Sequence, residues 1–240
     1  MMIVGTDIYV SDEAVLYKST DGGDNFSTVT TGITGGYTIK GIAAHGSNLY
    51  IVTSNGSASQ IILYNGSSAA TKLTAAIYDG IWSVQNRLVV SIGTALHEYD
   101  GATTVASAME TIAKGQTELS TEIPTCIKQL QGIIFYGTRE DQTGSKKIGR
   151  FYKADLVVAD DLYILANNQL IKEWDIDSID ASPRAIHATR DSVYTGVKES
   201  ASESFLWRYY LPTAGIARYH KLGAGNLVQG INKVDDNFIA

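Results

Sequence analysis

Two sets of carboxylates in this chain have spacings that suit acid–base work. Glu98 stands two residues from Asp100, and Glu173 stands close to Asp175 and Asp177. Hydrolysis of a glycosidic bond needs two carboxyl groups held at a set separation in space. Both sets have a simpler explanation. Asp100 sits in Tyr99-Asp100-Gly101 at the end of a strand, where an Asx side chain bonds its own backbone and makes a turn. The run Asp175-Ile176-Asp177-Ser178-Ile179-Asp180 offers oxygen ligands but lacks the glycine and the ligand number of a calcium loop, so a solvated strand edge is expected. His45, His97, His187 and His220 are scattered without metal-ligand spacing. Cys126 is the single cysteine, which rules out an intrachain disulfide, and its setting in Pro124-Thr125-Cys126-Ile127 suits a small inert core residue. No nucleophile elbow, phosphate-binding glycine loop or dinucleotide fingerprint is present. The residues predict no catalytic group, no metal and no cofactor.

The densest candidate for recognition is Trp207-Arg208-Tyr209-Tyr210. Strand alternation puts Trp207 and Tyr209 on one face and Arg208 and Tyr210 on the other. One pair is expected in the core. The outward pair is free for a sugar or protein contact, because Tyr, Trp and Arg are favoured at interfaces.

These residues must be carried by short strands. The chain has 240 residues, with 23 Gly, 3 Pro and 14 Tyr, a composition of many strands joined by tight turns. One unit recurs along it: a turn carrying Gly, Asn or Asp, a strand with an aromatic or β-branched centre, a second strand ending in Tyr-Asx-Gly or a related turn, and a third rich in Thr and Ala. The central residues Tyr9, Tyr50, Val89, Ile134 and Tyr194 are 41, 39, 45 and 60 residues apart. Three of those intervals match a four-stranded propeller blade of about 40 to 50 residues. The long interval is expected to hold an extra hairpin or an elaborated outer strand at Asp161–Leu165 and Ile171–Asp175. Strands rich in small residues precede three units, at Lys40–Ala44, Gly80–Val84 and Pro183–Ala188, and suit the crowded innermost position. Between Ala106 and Ser120, the spacing of Met109, Ile112 and Ala113 predicts a short helix, with a loop as the alternative.

The turn Ser19-Thr20-Asp21-Gly22-Gly23-Asp24-Asn25-Phe26 fits S-x-D-x-G-x-x-W/F at Ser19, Asp21, Gly23 and Phe26. This pattern resembles the Asp-box, a hairpin turn between the two outer strands of β-propeller blades. Proteins carrying such boxes include sialidases, other glycoside hydrolases, sortilin-like receptors and photosystem assembly factors. The resemblance implies a structural role for the four residues on the blade periphery, with Phe26 opening the next strand and folding its ring under the turn. A sialidase would also bring an arginine triad, an Arg-Ile-Pro motif and a Tyr/Glu pair. Arg-Ile-Pro is absent, Ser182-Pro183-Arg184 is a poor substitute, and the arginines lie mostly late in the chain.

The formal net charge of −6, with no Lys or Arg run, leaves no electrostatic footprint for nucleic acid. Lys146-Lys147 reads as a solvated pair in a Gly/Ser/Thr loop. No stretch approaches the roughly 20 apolar residues of a membrane-spanning helix, and no signal peptide is recognisable. The expected fold is all-β, a β-propeller of about five to six four-stranded blades forming one domain over residues 1–240. Its last blade either is incomplete, as the leading part of a longer protein, or closes the ring with the N-terminus. In style the chain is similar to propellers of tailed-bacteriophage virion proteins such as the tail nozzle. That likeness implies a non-enzymatic scaffold or binding module, assembling with other protein subunits and acting in a virion. A glycan-binding or sialidase-like propeller is the alternative.

Overall fold

The computed structural model describes residues 1–29, 31–75, 79–99, 109–112, 121–159, 162–177, 179–223, 231–234 and 237–239. Five four-stranded antiparallel sheets follow one another along the chain, the blades of a β-propeller. Blade one holds β1 (Met2–Val4), β2 (Asp7–Asp12), β3 (Val15–Ser19) and β4 (Ser27–Val29). Blade two holds β5 (Thr38–His45), β6 (Asn48–Ser54), β7 (Ser59–Tyr64) and β8 (Ala69–Ala75). Blade three holds β9 (Gly80–Val84), β10 (Arg87–Ile92), β11 (Ala95–Tyr99) and β12 (Met109–Ile112). Blade four holds β13 (Ile123–Leu130), β14 (Ile133–Asp141), β15 (Lys147–Ala159) and β16 (Leu162–Trp174). Blade five holds β17 (Ala185–Ala188), β18 (Ser192–Lys198), β19 (Ser204–Tyr210) and β20 (Gly215–Gly223). A two-stranded sheet, β21 (Asn232–Val234) with β22 (Asn237–Ile239), follows them. The chain divides into two compact units, Met1–Thr111 and Ile112–Ala240.

In the first unit, period-two alternation serves two interfaces at once. On β6, Leu49 and Ile51 pack with Tyr9 and Leu16 of blade one. The intervening Tyr50 and Val52 pack with Ile81, Leu88, Val90 and Tyr99 of blade three. A strand buried on both faces reads as a continuous apolar run, which is why Leu49–Val52 lacks the polar alternation of a half-exposed strand. Each fully buried Leu or Ile contributes about 1.5–3 kcal/mol.

In the second unit, Phe135, Phe151 and Trp174 of blade four pack with Val193, Val197 and Tyr209 of blade five. The long interval in the repeat resolves into β15 and β16, 13 residues each, and the connection that follows them. Residues 109–112 form strand β12, which corrects the helix expected there. The 3.6-residue spacing of Met109 and Ile112 misled because four residues are too few to separate the two periods. Residues 113–120 lie outside the described residues. Cys126 is buried and its thiol is pushed up to about 12 by that burial, consistent with an inert core position.

Candidate binding surface on the fifth blade

Trp207, Arg208, Tyr209 and Tyr210 all lie on β19, and the alternation holds. Tyr209 is buried against Phe135, ring centroids 5.6 Å apart, and Trp207 meets Trp174 edge-on at 5.6 Å. Trp207 is closed in further: its Nε1 donates to Glu199 Oε1 at 2.6 Å, and the cations of Lys172 and Arg218 lie over its ring at 5.3 and 5.8 Å. Arg218 is itself paired with Glu199. This face of β19 is therefore packed, with the Arg218 charge paired within it.

The opposite face differs. The Arg208 guanidinium lies 4.6 Å from the Tyr210 ring centroid and 5.9 Å from that of Tyr219. Tyr219 meets Tyr194 edge-on at 5.3 Å and is half exposed. Arg208 Nε donates to Ser192 Oγ at 2.9 Å, and its other arm is 4.0 Å from Asp191. Sequence reasoning missed Tyr219, and a β-bulge is the reason. Leu206 pairs with His220 and Trp207 with Arg218, leaving Tyr219 as the extra residue on β20. Bulges re-aim side chains in this way. The available signal was the repeat of Arg208-Tyr209 as Arg218-Tyr219 on the two arms of one hairpin.

The carboxylates considered for catalysis are engaged elsewhere. Glu98 is paired with Arg87, and Asp100 lies outside the described residues. Glu173 accepts from Arg150 Nε at 2.5 Å. Asp175 and Asp177 lie 2.5 and 3.0 Å from Lys146 Nζ, while Lys147 reaches Asp141 at 2.8 Å. These contacts correct the expectation that the lysine pair is merely solvated: the connection after β16 returns beside β15 and brings its acids to them.

A second polar cluster spans blade four. Arg150 Nη1 donates to Glu122 and Glu140, both at 2.8 Å, in addition to its bond with Glu173. Tyr152 and Thr138 also donate to Glu122, which is only 3% exposed. Burial, with the Glu122 charge adding to it, pushes the Tyr152 hydroxyl well above the ordinary tyrosine range. Six of the seven arginines, 87, 139, 150, 184, 208 and 218, contact a carboxylate of their own blade or of the loop beside it. Among the described residues, no group of three or more His, Cys, Asp or Glu side chains is placed to hold a metal, and no helix is long and apolar enough to cross a membrane.

The turn between β3 and β4 is held by its own side chains. Ser19 Oγ accepts from Gly23 N at 2.9 Å and donates to Asp21 Oδ1 at 2.7 Å. Asp21 accepts from Asn25 N at 3.0 Å and Asn25 Nδ2 at 2.8 Å. Those bonds, the Asn25 backbone N–H foremost and then the Ser19 hydroxyl, hold the Asp21 carboxyl below the usual carboxylate range. Gly23 has φ +105°, a conformation a Cβ would strain. Phe26 departs from expectation. It is 44% exposed and precedes the strand, which starts at Ser27, so its ring is not folded under the turn.

No family model and no curated protein matches the chain. Solved structures do. The extracellular domain of a one-component system from B. thetaiotaomicron is similar over 99% of this chain and 30% of that one, with TM-score 0.60 and 12% identity. Oligopeptidase B from Trypanosoma brucei is similar over 93% of this chain and 34% of that one, with TM-score 0.52 and 9% identity. The exo-β-1,3-galactanase of Phanerochaete chrysosporium is similar over 91% and 65%, with TM-score 0.53 and 9% identity. The chain spans about a third or less of the first two. At these identities the likeness defines the class by fold, a β-propeller.

Proposed function

We propose that this chain is a non-enzymatic β-propeller binding module, a structural component of a larger protein assembly. The observation that carries this reading is the Arg208–Tyr210–Tyr219 face: a guanidinium beside two tyrosine rings, one of them half exposed. Arginine and tyrosine concentrate binding energy where a partner excludes water. The local pairing of six arginines speaks for the same reading, since a sialidase-like centre needs three converging on one substrate. The bonds of Ser19 and Asp21 within their turn support an Asp-box with a structural role. The Ser/Thr/Gly-rich blades keep the likeness to virion propellers of tailed phages, and a virion tail is the assembly we favour.

A glycan-binding propeller is the second reading, favoured by the exposed Tyr219 ring, on which a sugar face can stack. Light scattering over a concentration series separates the two together with a glycan array and a fluorogenic glycosidase panel. Self-association or capture by virion proteins, lost in Arg208→Ala and Tyr219→Ala, is the expected result. A strict monomer that binds glycans supports the second reading, and clear glycoside turnover overturns the first.

A further inference from the structure

Blades four and five form an open crevice of about 380 Å³, within the range of small-molecule sites. Three hairpin turns meet there: the β13–β14 turn, the β17–β18 turn at Asp191, and the β19–β20 turn at Leu211–Ala214. Its apolar walls are Ile133, Leu211 and Pro212, above the buried Phe135. Lys153, Asp191 and Gln131 supply the polar groups.

The state of those polar groups points to a ligand. Lys153 has no hydrogen-bonding or ionic partner among the described residues, although it is partly buried on a strand whose other cations are paired. Asp191 is engaged through Oδ1 alone, by the Ser192 hydroxyl at 2.8 Å and by Arg208 at 4.0 Å. Gln131 donates its Nε2 to the Arg190 carbonyl at 2.6 Å, which fixes the amide and leaves its Oε1 free to accept. Lys153 and Asp191 line one cavity, yet they form no ion pair with each other. Two opposite charges that line one crevice without pairing, beside apolar walls, match a molecule that carries both signs on one end and a hydrocarbon body on the other.

We infer that this crevice binds a free hydrophobic α-amino acid, its carboxylate on Lys153, its ammonium on Asp191 and Gln131, and its side chain against Ile133 and Leu211. The site adjoins the Arg208–Tyr219 face through the 4.0 Å contact of Asp191 with Arg208, whereas Lys153 touches neither residue of that face, so Lys153→Gln tests the crevice alone. Titration calorimetry of the full chain with L-phenylalanine, N-acetyl-L-phenylalanine, phenethylamine and glycine tests it. Expected is saturable binding of L-phenylalanine with a millimolar or tighter Kd, and weaker binding of the three analogues, each of which lacks one recognised group. Lys153→Gln lowers the affinity about tenfold or more, the effect of losing one charge-assisted hydrogen bond. Asp191→Asn erases the preference for L-phenylalanine over its N-acetyl derivative. Absence of saturation up to about 10 mM with the unaltered protein overturns the inference, as does equal binding of all four compounds or an affinity untouched by both substitutions.

Discussion

Tyr50 of β6 meets Tyr99 of β11 edge-on, ring centroids 6.1 Å apart and planes at 80°. Tyr9 of β2 meets Tyr64 of β7 in nearly the same way, at 6.1 Å and 73°. Phe135 of β14 and Tyr209 of β19 meet at the equivalent place, 5.6 Å apart with planes tilted at 50°. Each time, an aromatic from the second strand of one blade lies on a tyrosine from the third strand of the next. The Tyr of each Tyr-Asx-Gly turn is thus a seam residue between blades, which accounts for part of the tyrosine excess. Tyr99→Ala is expected to cost about 3–5 kcal/mol in urea unfolding. A double-mutant cycle with Tyr50→Ala should return a coupling of about 0.5–1.5 kcal/mol. Additive effects would show that the edge-on contact adds nothing beyond burial.

This seam also shows how far the sequence could be read. Tyr9, Tyr50, Val89 and Tyr194 mark equivalent second strands, so the blade rhythm was legible in their spacing. Blade four slips by one residue: Phe135, not Ile134, faces the following blade. A spacing count cannot detect a one-residue slip in a strand buried on both faces. Arg208 and Tyr210 were legible as an outward pair through simple alternation. Tyr219 was not, since a bulge breaks the period on which alternation rests. The ion pairs of Lys146 with Asp175 and Asp177 were hidden for another reason: they join residues about 30 positions apart through an irregular connection that no period describes.

Arg150 balances a carboxylate that has almost no access to water. Replacing it by Met leaves Glu122 buried without this cation, beside the Tyr152 and Thr138 hydroxyls. Breaking a buried pair from one side is costly, and here the loss should be about 3 kcal/mol, toward the low end because Glu140 and Glu173 reach solvent. The paired change Arg150→Met with Glu122→Gln should recover part of that loss. Chemical denaturation of the parent and the two variants measures both effects. A single Arg150→Met as stable as the parent would mean that Glu122 does not depend on this cation.

Gly149 on β15 packs directly under the connection that leads into blade five. An added Cβ would stand inside van der Waals contact of the Ala181 carbonyl, which is backbone and cannot swing aside. The neighbouring bonds, Lys147 N to Ile179 O at 3.0 Å and Ala181 N to Lys147 O at 3.2 Å, pin that segment to the strand. Gly149→Ala is therefore expected to destabilise by about 3 kcal/mol, the upper range for overpacking, and to lower Tm. Hydrogen exchange should show the Lys147 and Ala181 amides losing protection first. Unchanged protection at both would place the strain elsewhere.

Asp180 links the same connection to acid stability. Burial raises its carboxyl pKa, but the Ser182 hydroxyl and the Arg184 guanidinium, 2.8 Å away, outweigh burial and leave it below the ordinary value of 3.8. A carboxylate whose pKa is depressed by folding binds protons more readily in the unfolded chain. Its stabilisation is thus complete above the unfolded value and is lost as pH falls from about 4 through the lower folded value. Asp180→Asn should cost about 1–2 kcal/mol near neutral pH, the range for charge-assisted hydrogen bonds in a partly exposed site. It should also make stability fall less steeply below pH 4 than in the parent. Urea midpoints measured from pH 7 down to pH 2 check both expectations, and parallel curves for the two proteins would remove Asp180 from the acid response.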